Sequence, residues 1–497
     1  MLEHDSEDHL DHSFEVDLDT IKTKAIRGIA VIAGRGFILS IISQISVFFL
    51  ITFMSPEQMG VFWVVNAAVF FLIYFSDIGL AAALIQKKDT PTEIDYRTTF
   101  TIQQILIVFL LIILYVLTPS IVSTYSLSEP GKNLVYALGF SLFLASLKSI
   151  PTVKLERKLE FAKMAIPDLL ESFVYSISVV YFAWKGYGVE SFTYAVILRG
   201  VVGVVTMYIL VPWMPTFAIS KKSLKELFRF GVPYQLNTLI SVFKDRGMTL
   251  IIGKVIGTAG VGYLGTAERF SQMPLRLFMD PVTKVSFPAF ARMQEEKKEL
   301  AKMVTRTIFF ITFLTYPLLM GMVLVMPVFI TVFPVYQKWE PSLTPLFFMT
   351  INVYFASATT LLTNLLAAIG RIKTVTKLII MWTVLTVLFV PMLGARYGVN
   401  GAAAGYALVS LSSIVAIYIT RKIIPFSLFE SVGKPFIATV AMGIVVLIAK
   451  QFLHDTVLNM FILVAVGGVT YACVSFILYG SRLFSDVKKI SKAFMGR

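Results

Sequence analysis

The chain has 497 residues, 57% of them hydrophobic and only 15% charged, with a mean hydropathy of +0.78. These values exclude a water-soluble globular protein, since many apolar runs approach or exceed the ~20 residues that cross a bilayer. The formal net charge of +14 would point to nucleic acid in a soluble domain. In a membrane chain it reads as cytoplasmic loop charge, and no nucleic-acid partner is expected.

Residues 1–20, MLEHDSEDHLDHSFEVDLDT, are acidic and lack hydrophobic periodicity, which predicts a solvated tail. Three of the four histidines, His4, His9 and His12, lie there. A floppy polar tail outweighs a metal site as their explanation. The acidic start also argues against a cleavable signal peptide. Apolar runs follow at 28–53, 59–85, 99–118, 133–151, 165–184 and 191–212, then at 230–256, 261–290, 306–330, 342–369, 374–394 and 400–420. Two more lie at 435–452 and 457–480. The expected fold is an all-α polytopic membrane protein of about 14 transmembrane helices. Two six-helix lobes surround a central cavity, and two C-terminal helices are added. The expected divisions are an acidic cytoplasmic tail (1–24), a first lobe (25–212) and a basic amphipathic cytoplasmic linker (213–229). A second lobe (230–422), two additional helices (423–480) and a basic cytoplasmic tail (481–497) follow.

Loop charge sets the orientation. Thirty Lys and Arg residues fall in one alternating set of loops and tails, including Lys87, Arg97, Lys154, Arg157, Lys221 and Lys222. The opposite set holds five: Lys132, Lys185, Lys338, Arg396 and Lys450. Positive loops face the cytoplasm, so both termini are expected on the cytoplasmic side of a cell (cytoplasmic or inner) membrane. The single cysteine, Cys473, lies in an apolar run and offers neither a disulfide nor a metal site.

Nine basic residues remain inside the spans, six of them in 230–290. A charge at the centre of a membrane helix costs at least ~2.5–3.5 kcal/mol, so it faces a watery cavity or a partner. Arg269, Arg276, Asp280 and Lys284 fall within about 80° on one face of the eighth span. Arg276 lies ~21 Å down from the external start of that span, too deep for easy snorkelling. This stripe, with Lys244 and Arg246 of the seventh span and Arg35 and Arg199 of the first lobe, is the candidate binding surface for an anion. Lys244, Asp245 and Arg246 have a second reading, neutralisation of Arg246 by Asp245. Arg276 likewise has one, pairing with Asp280. Lys148 sits near a cytoplasmic end and is expected to snorkel. The intramembrane acids Asp77, Asp168 and Glu171 are either carriers of a coupling ion, H+ or Na+, or partners for Arg35 and Arg199. The coupling candidates are Asp77, Glu171, Asp280 and Asp245. No other cofactor and no metal are expected.

An internal repeat accompanies the charge. MSPEQMGVFWVVNAAVFFLIYFSDIGLAAALIQKKD follows the first span, and IGTAGVGYLGTAERFSQMPLRLFMDPVTKVSFPAFARMQEE follows the seventh. Gly60 aligns with Gly262 at an offset of 202 residues, and Asp77 falls within one residue of Asp280. An even number of spans per repeat gives both halves the same orientation.

MTLIIGKVIGTAGVGYLGTAERFSQMPLRLFMDPVTKVSFPAFARMQ resembles the second-half signature of Wzx-type oligosaccharide flippases, and FSDIGLAAALIQ resembles their first-half signature. These are polysaccharide exporters of the multidrug/oligosaccharidyl-lipid/polysaccharide superfamily. The resemblance covers residues 25–480; the acidic N-terminal tail is outside it. It implies a polyprenyl-pyrophosphate-linked glycan as substrate, carried between leaflets by alternating access for cell-surface polysaccharide biosynthesis. Membrane lipids are the other partner, and a monomer is expected. Two other classes stay open. A multidrug or cation exporter of the same superfamily would want an acidic or aromatic cavity, against which the nine intramembrane cations argue. A glycan polymerase or ligase would display large outer loops, and those here are short. No HExxH, Walker A loop, dinucleotide fingerprint or GxSxG elbow is present. A secondary transporter, not an enzyme, is the expected class.

Overall fold

The structure is a computed structural model that describes residues 18–73, 79–87 and 89–480, without the side chains of 18–30, 33, 71–73, 226–227 and 229–246. The described residues form helices α1 (Leu18–Phe53), α2 (Pro56–Ile73), α3 (Leu80–Gln86), α4 (Glu93–Thr124), α5 (Glu129–Leu147), α6 (Ser149–Arg157), α7 (Phe161–Trp184) and α8 (Glu190–Leu210). Then come α9 (Lys221–Arg292), α10 (Lys297–Val332), α11 (Leu343–Ala368), α12 (Ile372–Leu411), α13 (Ser413–Ile423), α14 (Lys434–Phe452) and α15 (Val457–Tyr479). The chain is an all-α polytopic membrane protein. Among the described residues ten helical stretches are long and apolar enough to cross a bilayer, or eleven with the bent pair α5 and α6. The difference from about 14 lies at three places. Helices α9 and α12 each run through two expected spans, broken only where Gly257 (φ 73) in α9 and Tyr397 and Gly398 (φ 62) in α12 leave helical geometry. The expected second span is divided between α2 and α3 by residues 74–78, which lie outside the described set.

Local sequence explains where helices begin. Ser55 and Gln58 exchange hydrogen bonds ahead of α2, Ser55 N–H to Gln58 Oε1 at 2.9 Å and Gln58 N–H to Ser55 Oγ at 3.2 Å. That is the reciprocal cap of a Ser-x-x-Gln start, with Pro56 at the first helical position where no N–H is missed. Thr92 and Asp95 cap α4 in the same way.

The chain divides into two compact units, 1–262 and 263–497. The sequence places the start of the second lobe at residue 230; the stretch up to 262 packs within the first compact unit. Packing gives the reason. Within the first unit Tyr125 donates to the Leu250 carbonyl at 3.1 Å, and Gly253 packs on Tyr125 and Val64. The repeat offset that maps Gly60 onto Gly262 also maps Pro56 onto Thr258. A Cβ on Gly60 would fall on the Thr258 carbonyl oxygen, and one on Gly262 would fall on the Pro56 carbonyl oxygen. Each repeat's glycine therefore seats the start of the other repeat's helix, which is the reciprocal pattern of a two-fold contact.

Residues 211–220, which include the start of the expected linker, are non-helical and strapped to α4. The Thr101 hydroxyl accepts from Ala218 N–H and donates to its carbonyl, both at 3.0 Å, and Thr98 accepts from Ser220 N–H at 3.1 Å. Buried Trp213 packs with Leu80, Leu84, Tyr96, Phe100 and Ile150. From Lys221 the helix runs without interruption into the expected seventh span. In the second unit, Leu275, Met279 and Phe290 of α9 join Leu300 and Ile308 of α10 and Leu361, Leu362 and Leu365 of α11 in one core.

Candidate functional site

In the first unit, charges from four elements meet. Helix α7 places Asp168, Glu171 and Tyr175 within about 60° on one face. Arg35 of α1 reaches Asp168 at 2.7 Å, Lys148 at the junction of α5 and α6 binds Glu171 Oε1, and Arg199 Nε of α8 meets Glu171 Oε2 at 3.4 Å. Glu171 is buried, whereas half of the Arg199 side chain is exposed. The Arg199 guanidinium also lies 5.9 Å from the centre of the Tyr175 ring. Three cations thus share two carboxylates. One sequence expectation changes here. Lys148 does not snorkel: Glu171 holds it, because α7 presents a buried carboxylate at the turn where α5 ends. Of the two readings of Asp168 and Glu171, pairing is the one seen: Arg35 and Arg199 are each anchored at one point by an acid, and Arg35 Nε is buried with no hydrogen-bond partner among the described residues.

In the second unit the stripe of α9 has another character. Arg276, Asp280 and Lys284 are exposed, on the side of the helix turned away from Leu275 and Met279. None of these three takes part in an ion pair among the described residues, although one helical turn separates each from the next. Pairing of Arg276 with Asp280 is therefore absent from the structure. Arg269 is half-buried, and both it and Glu268 have interaction partners. The helix carries Lys244, Asp245 and Arg246 as expected, but their side chains lie outside the described residues, as does all of Asp77.

A third polar group sits at the expected cytoplasmic end of the first unit. Arg157 Nη1 donates to the carbonyls of Leu84, Ile85 and Lys87 and so closes the C-terminus of α3. Lys154 pairs with Glu93 at 2.6 Å and lies 4.7 Å from the Tyr96 ring, while the Trp213 indole donates to Glu93 at 3.3 Å. Three residues counted above as loop charges, Lys154, Arg157 and Lys87, which pairs with Asp95 at 2.8 Å, therefore also hold the fold together. Two apolar grooves run along helix seams: one of ≈ 540 Å³ between α1 and α7, the other of ≈ 940 Å³ between α10 and α15. Their lining of Phe, Ile, Val and Leu suits hydrocarbon and holds none of the charges described here. Among the described residues no three His, Cys, Asp or Glu side chains gather to hold a metal.

This arrangement of helices is that of a known class of membrane transporter. The lipid II flippase MurJ in its inward closed conformation superposes with a TM-score of 0.71 at 16% identity, covering 91% of this chain and 99% of MurJ. An inward-facing multidrug resistance MATE family transporter of the MOP superfamily superposes with a TM-score of 0.57 at 17% identity, over 78% of this chain and 94% of that one. The chain has the fold of these transporters. Among sequences, the teichuronic acid biosynthesis protein TuaB of Bacillus subtilis (strain 168) is 26% identical over 421 residues, 80% of this chain and 83% of TuaB. Residues 49–344 match the family described as polysaccharide biosynthesis protein, and the chain belongs to that family.

Proposed function

We propose that this chain is a flippase that moves a polyprenyl-pyrophosphate-linked oligosaccharide from the cytoplasmic to the outer leaflet by alternating access. The observation that carries this reading is Arg276, an exposed arginine deep in an expected span with no acidic partner among the described residues. A membrane helix keeps such a charge only where water or an anion meets it, and a pyrophosphate offers an arginine bidentate contacts. Lys284 and Arg269 extend the binding surface on the same helix face. Lys244 and Arg246 belong to the proposal by sequence, and Arg35 and Arg199 add cations from the first unit. Family membership and the MurJ-like fold support a lipid-linked substrate, and the apolar grooves suit its hydrocarbon tail. The cationic surface disfavours a cation exporter, and the function is transport rather than catalysis.

Drive by a proton or Na+ gradient is part of the proposal. Asp280, which carries no ion pair among the described residues, is favoured as the coupling carboxylate over the doubly paired Glu171. Asp77 and Asp245 remain candidates on sequence. The protein is placed in the cell membrane as a monomer with both termini cytoplasmic. A cysteine at Ser128, in a Cys473→Ser background, is then expected to react with an impermeant thiol reagent outside intact cells; reaction only after permeabilisation would reverse the orientation. The function itself is tested in cells lacking the protein. A polyprenyl-pyrophosphate-linked glycan is expected to accumulate on the cytoplasmic face, and its absence there would remove the reading.

A further inference from the structure

Glu171 is the hub of the first-unit cluster. Both its oxygens are taken, one by Lys148 and the other by Arg199 Nε. Its place is left open by a missing side chain. Gly203 lies one turn beyond Arg199 on the same face of α8, and a Cβ there would fall on Glu171 Oε1. The carboxylate can lie flat against α8 only because residue 203 is glycine. With Nε held by Glu171 and the guanidinium beside Tyr175, the two terminal nitrogens of Arg199 have no protein partner among the described residues. Half the side chain stands exposed. The three cations of the cluster exceed its two carboxylates by one charge.

We propose that Arg199 is the cation through which the first unit grips an anionic phosphate of the substrate head group, and that Glu171 and Gly203 are positioning residues that aim its guanidinium. This rests on the head-group reading above and adds to it a specific subsite and two residues that do not touch the substrate. It also gives Glu171 a role other than coupling. With both oxygens committed to cations, its task here is to fix the arginine. Holding Nε leaves the terminal pair free to form two parallel bonds to phosphate oxygens.

The test uses the full-length chain in lipid nanodiscs with farnesyl pyrophosphate as probe and farnesol as its uncharged control. Wild type is expected to bind the pyrophosphate in preference to the alcohol. Arg199→Gln is expected to weaken pyrophosphate binding by about tenfold or more, the scale of a charge-assisted contact, and to leave farnesol binding unchanged. Gly203→Ala is expected to weaken it to a similar degree. The Gly203→Ala/Arg199→Gln double variant should be no worse than Arg199→Gln alone, because the two changes remove one interaction. In proteoliposomes Glu171→Gln should raise KM while the response to a pH gradient persists. Pyrophosphate binding by Arg199→Gln within twofold of wild type would overturn the subsite even where Gly203→Ala fails to fold. Loss of the gradient response in Glu171→Gln would return that residue to coupling. A wild-type chain that does not distinguish farnesyl pyrophosphate from farnesol would overturn the head-group reading itself, and this inference with it.

Discussion

In each unit one charge cluster stands out, and the two treat membrane charge in opposite ways. In the first, Arg35, Lys148 and Arg199 are each tied to a carboxylate of α7, and the hub of that cluster, Glu171, is buried. In the second, Arg276 and Lys284 stand exposed beside Asp280 on α9, and no ion pair joins them. The contrast separates charge that is fixed in advance from charge that is held in reserve. A paired arginine is already oriented and spends part of its hydrogen-bonding capacity on the protein. An unpaired one keeps its full capacity for a ligand, at the cost of standing alone in an expected span.

The comparison is broken most sharply at Glu171. Glu171→Ala leaves Lys148 and Arg199 without their acid, and a buried ion pair that loses one partner costs about 3–5 kcal/mol. The expected outcome is a large fall in melting temperature and in the yield of folded protein, read by thermal unfolding in detergent. A melting temperature equal to wild type would mean that the cluster is not structural.

Next in size is Arg276→Ala. It should insert and fold normally yet lower transport of a lipid-linked glycan by roughly 10- to 100-fold, the worth of one or two charge-assisted contacts. Arg276→Lys restores only part of it, since the planar fork is lost. The double variant Arg276→Ala/Asp280→Ala stays inactive, and recovered transport there would show that Arg276 serves only to neutralise Asp280.

Asp168→Asn sharpens the first-unit side. Its pair with Arg35 is about one-third exposed at both partners, so its loss should cost no more than about 1 kcal/mol. A cost equal to that of Glu171→Ala would merge the two pairs into one network. The smallest effect on stability is expected for Asp280→Ala, within about 0.5 kcal/mol as for an exposed residue without a partner. Any change there should fall on the gradient dependence of transport instead, measured in proteoliposomes with and without an imposed pH or Na+ gradient.

Much of this was legible in the chain. The apolar runs fall on helices among the described residues, with two pairs of runs fused into α9 and α12, and the repeat found through Gly60 and Gly262 reappears as a pair of reciprocal backbone contacts. The stripe of α9 was legible because helical spacing alone puts Arg276, Asp280 and Lys284 on one face. The fusion of α9 across Gly257 was not, since a glycine between two apolar runs reads equally as a loop or as a break in one helix. The strapped linker was hidden too: Thr98 and Thr101 are ordinary helix residues until Ala218 and Ser220 lie beside them. Gly203 gave no signal in a span that also contains Gly200, because its meaning depends on the carboxylate opposite.

The sequence by itself determined that this is a polytopic helical membrane protein, how its repeats align, and which helix face carries charge. Run length, offset and periodicity are properties of order along the chain, and hydrocarbon acts on each segment separately. Only the tertiary structure decided that Glu171 holds Lys148 and Arg199, that Asp168 takes Arg35, and that Asp280 takes neither of its neighbours. An ion pair forms where two side chains arrive within a few ångströms with room to meet. That depends on how α1, α5, α7 and α8 pack, down to the absence of one methyl group at Gly203.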